Sequence, residues 1–239
     1  MSFILAVLSA GLYGIADFAG GFATRRDSVF PVIGLSQITG ALLALAAVPL
    51  LGGGSPSVSD LLLGGGAGIF GSMGLFFLYK GLAETSAAVV SPTSAIVGAL
   101  VPVSMGLVLG EVPSLPVCVG CAVCLPAIVL LTWERRDPDA GPGETTAGEG
   151  ARSAAGVTVR SHARRALFLG ILSGIGFGIF FVFVSRTNAD AGIWPLISAR
   201  AASVAVILAI AGIRRERIIL PPSRIPLVIL TGLFDMGAN

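Results

Sequence analysis

Asp17, Arg200 and Asp235 are ionisable residues set inside apolar runs, and they are the strongest candidates for chemistry in this sequence. A charge in hydrocarbon is costly, so such residues face a cavity or a partner. A carboxylate so placed suits the uptake and release of a coupling proton at Asp17 or Asp235. A guanidinium suits an anionic group of a solute at Arg200. The plainer alternative is a structural ion pair, or a side chain reaching out to an interface. Tyr13, Gln37, Phe77, Phe177 and Phe181 lie in the same runs; they either line a pocket with these charges or pack between helices. Pro92 and Pro102 each remove a backbone hydrogen bond and kink the helix that holds them, for gating or for packing.

Other chemistries find little support. No nucleophile is paired with a base and an orienting group. Gly64-Gly65-Gly66 is not followed by Lys-Ser/Thr, so it is no phosphate loop. Cys118, Cys121 and Cys124 form C-x2-C-x2-C in an apolar run with no fourth cysteine, and read as small packed residues. His162 sits in a polar stretch and reads as solvated. Enzymatic activity, a cofactor and a metal are therefore not expected. Basic residues are not interleaved with aromatics, so nucleic acid is not an expected partner.

The elements that position these residues are set by composition. Hydrophobic residues make up 54% of the 239 and charged residues only 12%, about half the charge of a soluble domain. Mean hydropathy is +0.93. Lipid is the solvent for most of the surface, and the 33 glycines suit helices that pack closely within it. Spans are expected at about Phe3–Ala23, Val29–Leu51, Leu61–Tyr79, Thr85–Leu109, Leu115–Trp133, Ala166–Ser185 and Ile193–Ile213, with an eighth beginning near Ile225. The first lacks the basic start of a signal peptide and reads as a retained span. Residues 134–165 are polar and charged, and read as a flexible linker.

The two halves match. Gly14 and Gly178, Pro31 and Pro195, Gly68 and Gly232, and Phe70 and Phe234 are all 164 residues apart. With five spans per repeat, the second copy must be inverted. Charge agrees: Arg25, Arg26, Lys80, six arginines in the linker and four in 214–224 fall on one side, against Arg186 alone on the other. The positive-inside rule makes the basic side cytoplasmic and puts the N-terminus outside. The expected architecture is an all-α multi-spanning membrane protein of two inverted five-helix repeats, ten helices in full. It comprises a first module at 1–133, a linker at 134–165 and a second module at 166–239, the last truncated after about three helices.

The stretch from Tyr79 to Glu111 ties this reading to a family. Tyr79, Gly81, Leu82, the run Thr85-Ser86-Ala87-Ala88, a long apolar helix and Gly110-Glu111 resemble the EamA module of the drug/metabolite transporter superfamily. Gly11-Leu-Tyr-Gly-Ile-Ala-Asp-Phe-Ala-Gly-Gly resembles the first helix of that module, and Arg200 resembles an arginine of its second. Where the module commonly has a mid-helix proline, this sequence has Gly98, flanked by Pro92 and Pro102. The resemblance implies a secondary transporter moving a small metabolite or drug across the cytoplasmic membrane by alternating access, and the carboxylates of Asp17 and Asp235 would let protons be its coupling ion. The rivals are a membrane-embedded enzyme, which lacks a polar cluster, and a non-transporting assembly or sensor protein. Expected partners are the lipid bilayer, a small-molecule substrate, protons and a second copy in a homodimer.

Overall fold

A computed structural model describes the chain apart from Met1 and residues 52–53, 116, 121, 124–125, 127–148 and 217. The main helices are α1 (Ser2–Thr24), α2 (Val29–Leu51), α3 (Val58–Glu84), α4 (Ala87–Val108), α5 (Glu149–Ser185), α6 (Trp194–Arg214) and α7 (Ile225–Gly237). A short 3-10 turn, Ala189–Ala191, precedes α6. No strand occurs among the described residues. Among the described residues six stretches are long and apolar enough to cross a membrane: Ile4–Thr24, Val29–Leu51, Val58–Glu84, Ala87–Val108, His162–Ser185 and Trp194–Arg214. The protein is thus an all-helical, multi-spanning membrane protein. Its outer face carries Leu8, Phe18, Leu42, Leu62 and Val108 exposed, as lipid contact requires. The expected fifth span, 115–133, falls largely outside the described residues.

The helix ends follow from local chemistry. Ser57 caps α3 and forms a reciprocal capping box with Asp60, which starts the helix three residues before the first apolar residue of the expected span. At its far end α3 runs past Lys80 to Glu84, because intrahelical hydrogen bonds do not stop where lipid does. Thr85 closes it, with its N–H donating to the Gly81 carbonyl. Helix α5 begins at Glu149, ahead of the span expected from Ala166. With 13 residues, α7 is about 20 Å long, shorter than a hydrocarbon core.

Helices from the two halves of the chain interleave. Helix α3 packs on α5 and α6, α4 lies on α5, and α7 fits against α1 and α2, which also meets α6. Small residues set these distances. On α5, side chains at Gly170, Gly174 and Gly178 would strike Thr93, Val97 and Val101 of α4. Gly68 of α3 faces the backbone of α6, where a Cβ would lie 2.0 Å from the Ala199 carbonyl oxygen.

Several contacts recur at a constant offset. Ser173 donates to the Gly74 carbonyl at 2.9 Å and Ser9 donates to the Ala238 carbonyl at 2.6 Å; both donors and both acceptors are 164 residues apart. Gly68 packs on Ala199 and accepts from Ser203 at 2.8 Å. Gly232, 164 residues later, packs on Ser36 and Thr39. The correspondence has limits: Gly178 abuts Val101, whereas nothing lies within 4 Å of a Cβ at Gly14. Ser173→Ala is expected to lower stability by about 1 kcal/mol, measured by unfolding in mixed micelles. It removes the donor to Gly74 and the partner of Ser94, whose Oγ lies 2.8 Å from that of Ser173.

Candidate functional site

The interleaved helices line an open-sided cavity of about 350 Å³. Every main helix contributes to its wall. Helix α1 supplies Tyr13 and Asp17, α2 supplies Gln37, and α3 supplies Gly71, Leu75 and Leu78. Helix α4 presents Ser91, Ser94, Gly98 and Pro102, and α5 presents Phe177, Phe180 and Phe181. Helices α6 and α7 add Arg200, Ser203 and Asp235. Serine hydroxyls on helices can bond within their own helix or across to a neighbour, so they are tolerated at this depth.

Arg200 organises the charges. It is buried, and its Nη1 donates to Gln37 Oε1 at 2.8 Å and to the Asp235 carboxylate. The guanidinium therefore joins α2, α6 and α7. Its pair with Asp235 is nearly enclosed, the side chains being 9% and 16% exposed. Asp17 is half-buried on the cavity wall and has no hydrogen-bond or ion-pair partner among the described residues. It is the carboxylate left open toward the cavity once Asp235 is engaged.

Seven of the eight candidate residues meet at this cavity: Tyr13, Asp17, Gln37, Phe177, Phe181, Arg200 and Asp235. Phe77 does not line it; its ring stands edge-on to Phe76 at 5.5 Å. Pro102 lines the cavity and Pro92 does not, although both lie inside α4. Phe180, adjacent to Phe181, is a wall residue that the sequence reading did not single out. The paired aromatics Phe180-Phe181 in an apolar run were the available signal. Neither Glu84 nor Glu111 reaches the cavity: Glu84 pairs with Arg165, and Glu111 with Arg186 at 3.3 Å, both largely exposed. Such surface pairs contribute little. Among the described residues no cluster of His, Cys, Asp or Glu is placed to hold a metal ion.

Apolar spanning helices gathered around an open-sided, largely apolar cavity with an ion pair in its wall define a polytopic helical membrane protein. The sequence profile of the EamA-like transporter family matches residues 1–133, more than half of the chain, and the protein belongs to that family. Members of this family are transporters rather than enzymes, and they carry small substrates. No curated protein and no solved structure gave a match to the chain.

Proposed function

We propose that this protein is a secondary transporter that moves a small metabolite or drug across the cytoplasmic membrane by alternating access, coupled to protons. The observation that carries this reading is the cavity, where one ion pair is satisfied and one carboxylate, Asp17, is left to face the space a solute would occupy. Asp17 takes up and releases the coupling proton. The Arg200–Asp235 pair holds α6 and α7 together behind the site, with Gln37 as its third member. The solute lies against Phe177, Phe180 and Phe181, which offer an apolar aromatic wall.

The architecture in this reading is a pair of inverted repeats joined by a cytoplasmic polar segment at 134–165, which from Glu149 onward is the start of α5. It is supported by the recurrence of serine–carbonyl bonds and glycine contacts at one offset. Inverted repeats give two related ways of packing the same elements, one open to each side. The basic loops face the cytoplasm.

The test is flux in proteoliposomes holding the full chain, against a panel of amino acids, sugars and amphipathic drugs, with and without an imposed pH gradient. At least one solute is expected to move faster with the gradient. Asp17→Asn, which keeps the shape of the wall, is expected to remove the gradient dependence while downhill exchange persists. Undiminished gradient dependence in that variant assigns the proton elsewhere. Absence of flux for the whole panel removes the transport reading.

A further inference from the structure

The two ends of the bundle are fastened through Asp60 and, 164 residues later, Arg224, each reaching the connection before a neighbouring helix, and they are fastened unequally. At one end, Asp60 is 1% exposed at the start of α3. Its carboxylate accepts the Ser57 N–H and hydroxyl at 2.9 and 2.7 Å, and the Asn188 N–H and side-chain amide at 2.9 and 3.1 Å. Asn188 belongs to the connection between α5 and α6, so one carboxylate closes that connection onto α3. Beside it the Ser55 N–H donates to the Asp190 carbonyl at 2.8 Å. Gly54 sits at φ +55, where its missing Cβ would lie 2.7 Å from the Ala191 carbonyl oxygen.

At the other end, the residue 164 positions beyond Asp60 is Arg224. Its Nε lies 3.9 Å from Oδ2 of Asp27, in the connection between α1 and α2. That oxygen is buried and has no hydrogen-bond partner. The two groups stand at ion-pair distance without the hydrogen bond that would complete the pair.

The helix contact beneath each end differs in the same sense. Gly64 lets α3 close on α6: a Cβ there would lie 2.2 Å from the Pro195 carbonyl oxygen. The residue 164 positions later is Val228, fully buried with Phe30, Val32 and Ile33 of α2. Its side chain stands where a glycine would let α7 approach α2.

We infer that Asp60–Asn188 and Arg224–Asp27 are alternating latches of one device, the first fully hydrogen-bonded and the second held only as a 3.9 Å ion pair in the conformation described. This rests on the alternating-access reading and adds the groups that hold each end shut. When Asn188 leaves Asp60, the connection before α6 parts from α3. Arg224 then closes on Asp27 and supplies the donor that Oδ2 lacks. Charge-assisted hydrogen bonds are exchanged for others of the same kind, so neither state is trapped. Val228 sets the resting preference by wedging the second end.

Cross-linking reads both latches without altering them. In the full chain with Cys118, Cys121 and Cys124 replaced by alanine, Ser55→Cys with Asp190→Cys reports the first end. Ser28→Cys with Ser223→Cys reports the second. A short reducible dithiol reagent in proteoliposomes gives a yield for each pair. Val228→Gly is expected to raise the second yield and lower the first several-fold, and Gly64→Val to do the reverse. Asp60→Asn, which changes no volume, is expected to act in the direction of Val228→Gly and serves if either packing variant fails to fold. Locking either pair is expected to arrest flux until the reagent is reduced. Yields that rise and fall together, or that do not respond to Asp60→Asn, overturn the latches even where flux is normal. Opposed yields without flux of any solute keep the latches and remove the transporter reading instead.

Discussion

Arg200→Leu is expected to destabilise the protein by about 3–5 kcal/mol, whereas Arg200→Leu combined with Asp235→Leu recovers most of that loss. The single substitution strands the Asp235 carboxylate in a site where it is 16% exposed and has lost its cation. So little of the carboxylate is exposed that water replaces the guanidinium only in part. The double substitution removes both charges and fills the space with apolar side chains, which suits a lipid-embedded bundle. Gln37→Leu deletes one hydrogen bond to Arg200 and leaves the ion pair in place, so about 1 kcal/mol is expected. Unfolding titrations in mixed micelles measure all three. A double variant no more stable than Arg200→Leu would mean that the pair is not the source of the loss. Flux separates structure from function: if Arg200 only braces α6 and α7, the double variant transports.

Gly68→Leu is expected to be the most damaging substitution of a small residue, preventing accumulation of folded protein. Even a methyl group at this position would sit 2.0 Å from the Ala199 carbonyl oxygen. The oxygen belongs to one helix backbone and the Cβ is fixed directly by the other, so no side chain can swing aside. Helices α3 and α6 must separate, and the bond from Ser203 to the Gly68 carbonyl breaks with them. Gly68→Ala is expected to cost about 1–3 kcal/mol through overpacking alone. Gly212→Ala is the contrast: it lies in α6 with nothing within 4 Å of its Cβ, and gains about 0.5–1 kcal/mol of helix propensity. Yields of monodisperse protein after detergent extraction rank the three. Equal yields would show that the α3–α6 contact is looser than its geometry implies.

These predictions also mark where the readable part of the sequence stops. The spans and the family were legible because each is a local property. A run of about 20 apolar residues can bury its backbone only as a helix, whatever its neighbours do. The Thr85-Ser86-Ala87-Ala88 and Gly110-Glu111 boundaries mark helix α4 in the same local way. Asp17, Arg200 and Asp235 stood out because the cost of charge in lipid needs no structure to recognise. The constant offset between the halves was visible in four residue pairs.

Partnership was not legible. Gln37 and Arg200 are 163 residues apart, and which charge meets which depends on how α2, α6 and α7 cross. Phe77 and Phe177 are alike in type and setting, yet only Phe177 faces the cavity. One residue along a helix turns a side chain by about 100°, and apolar composition on all sides hides which face points inward. Asp60 reads in the sequence as a boundary charge near the start of a span. Folding brings Asn188 onto it from 128 residues away and makes it the clasp of one end of the bundle. Composition and spacing determine what must lie in the membrane, because each helix answers to lipid alone. The tertiary packing decides which charge is satisfied and which is left facing the cavity, because those bonds exist only between helices.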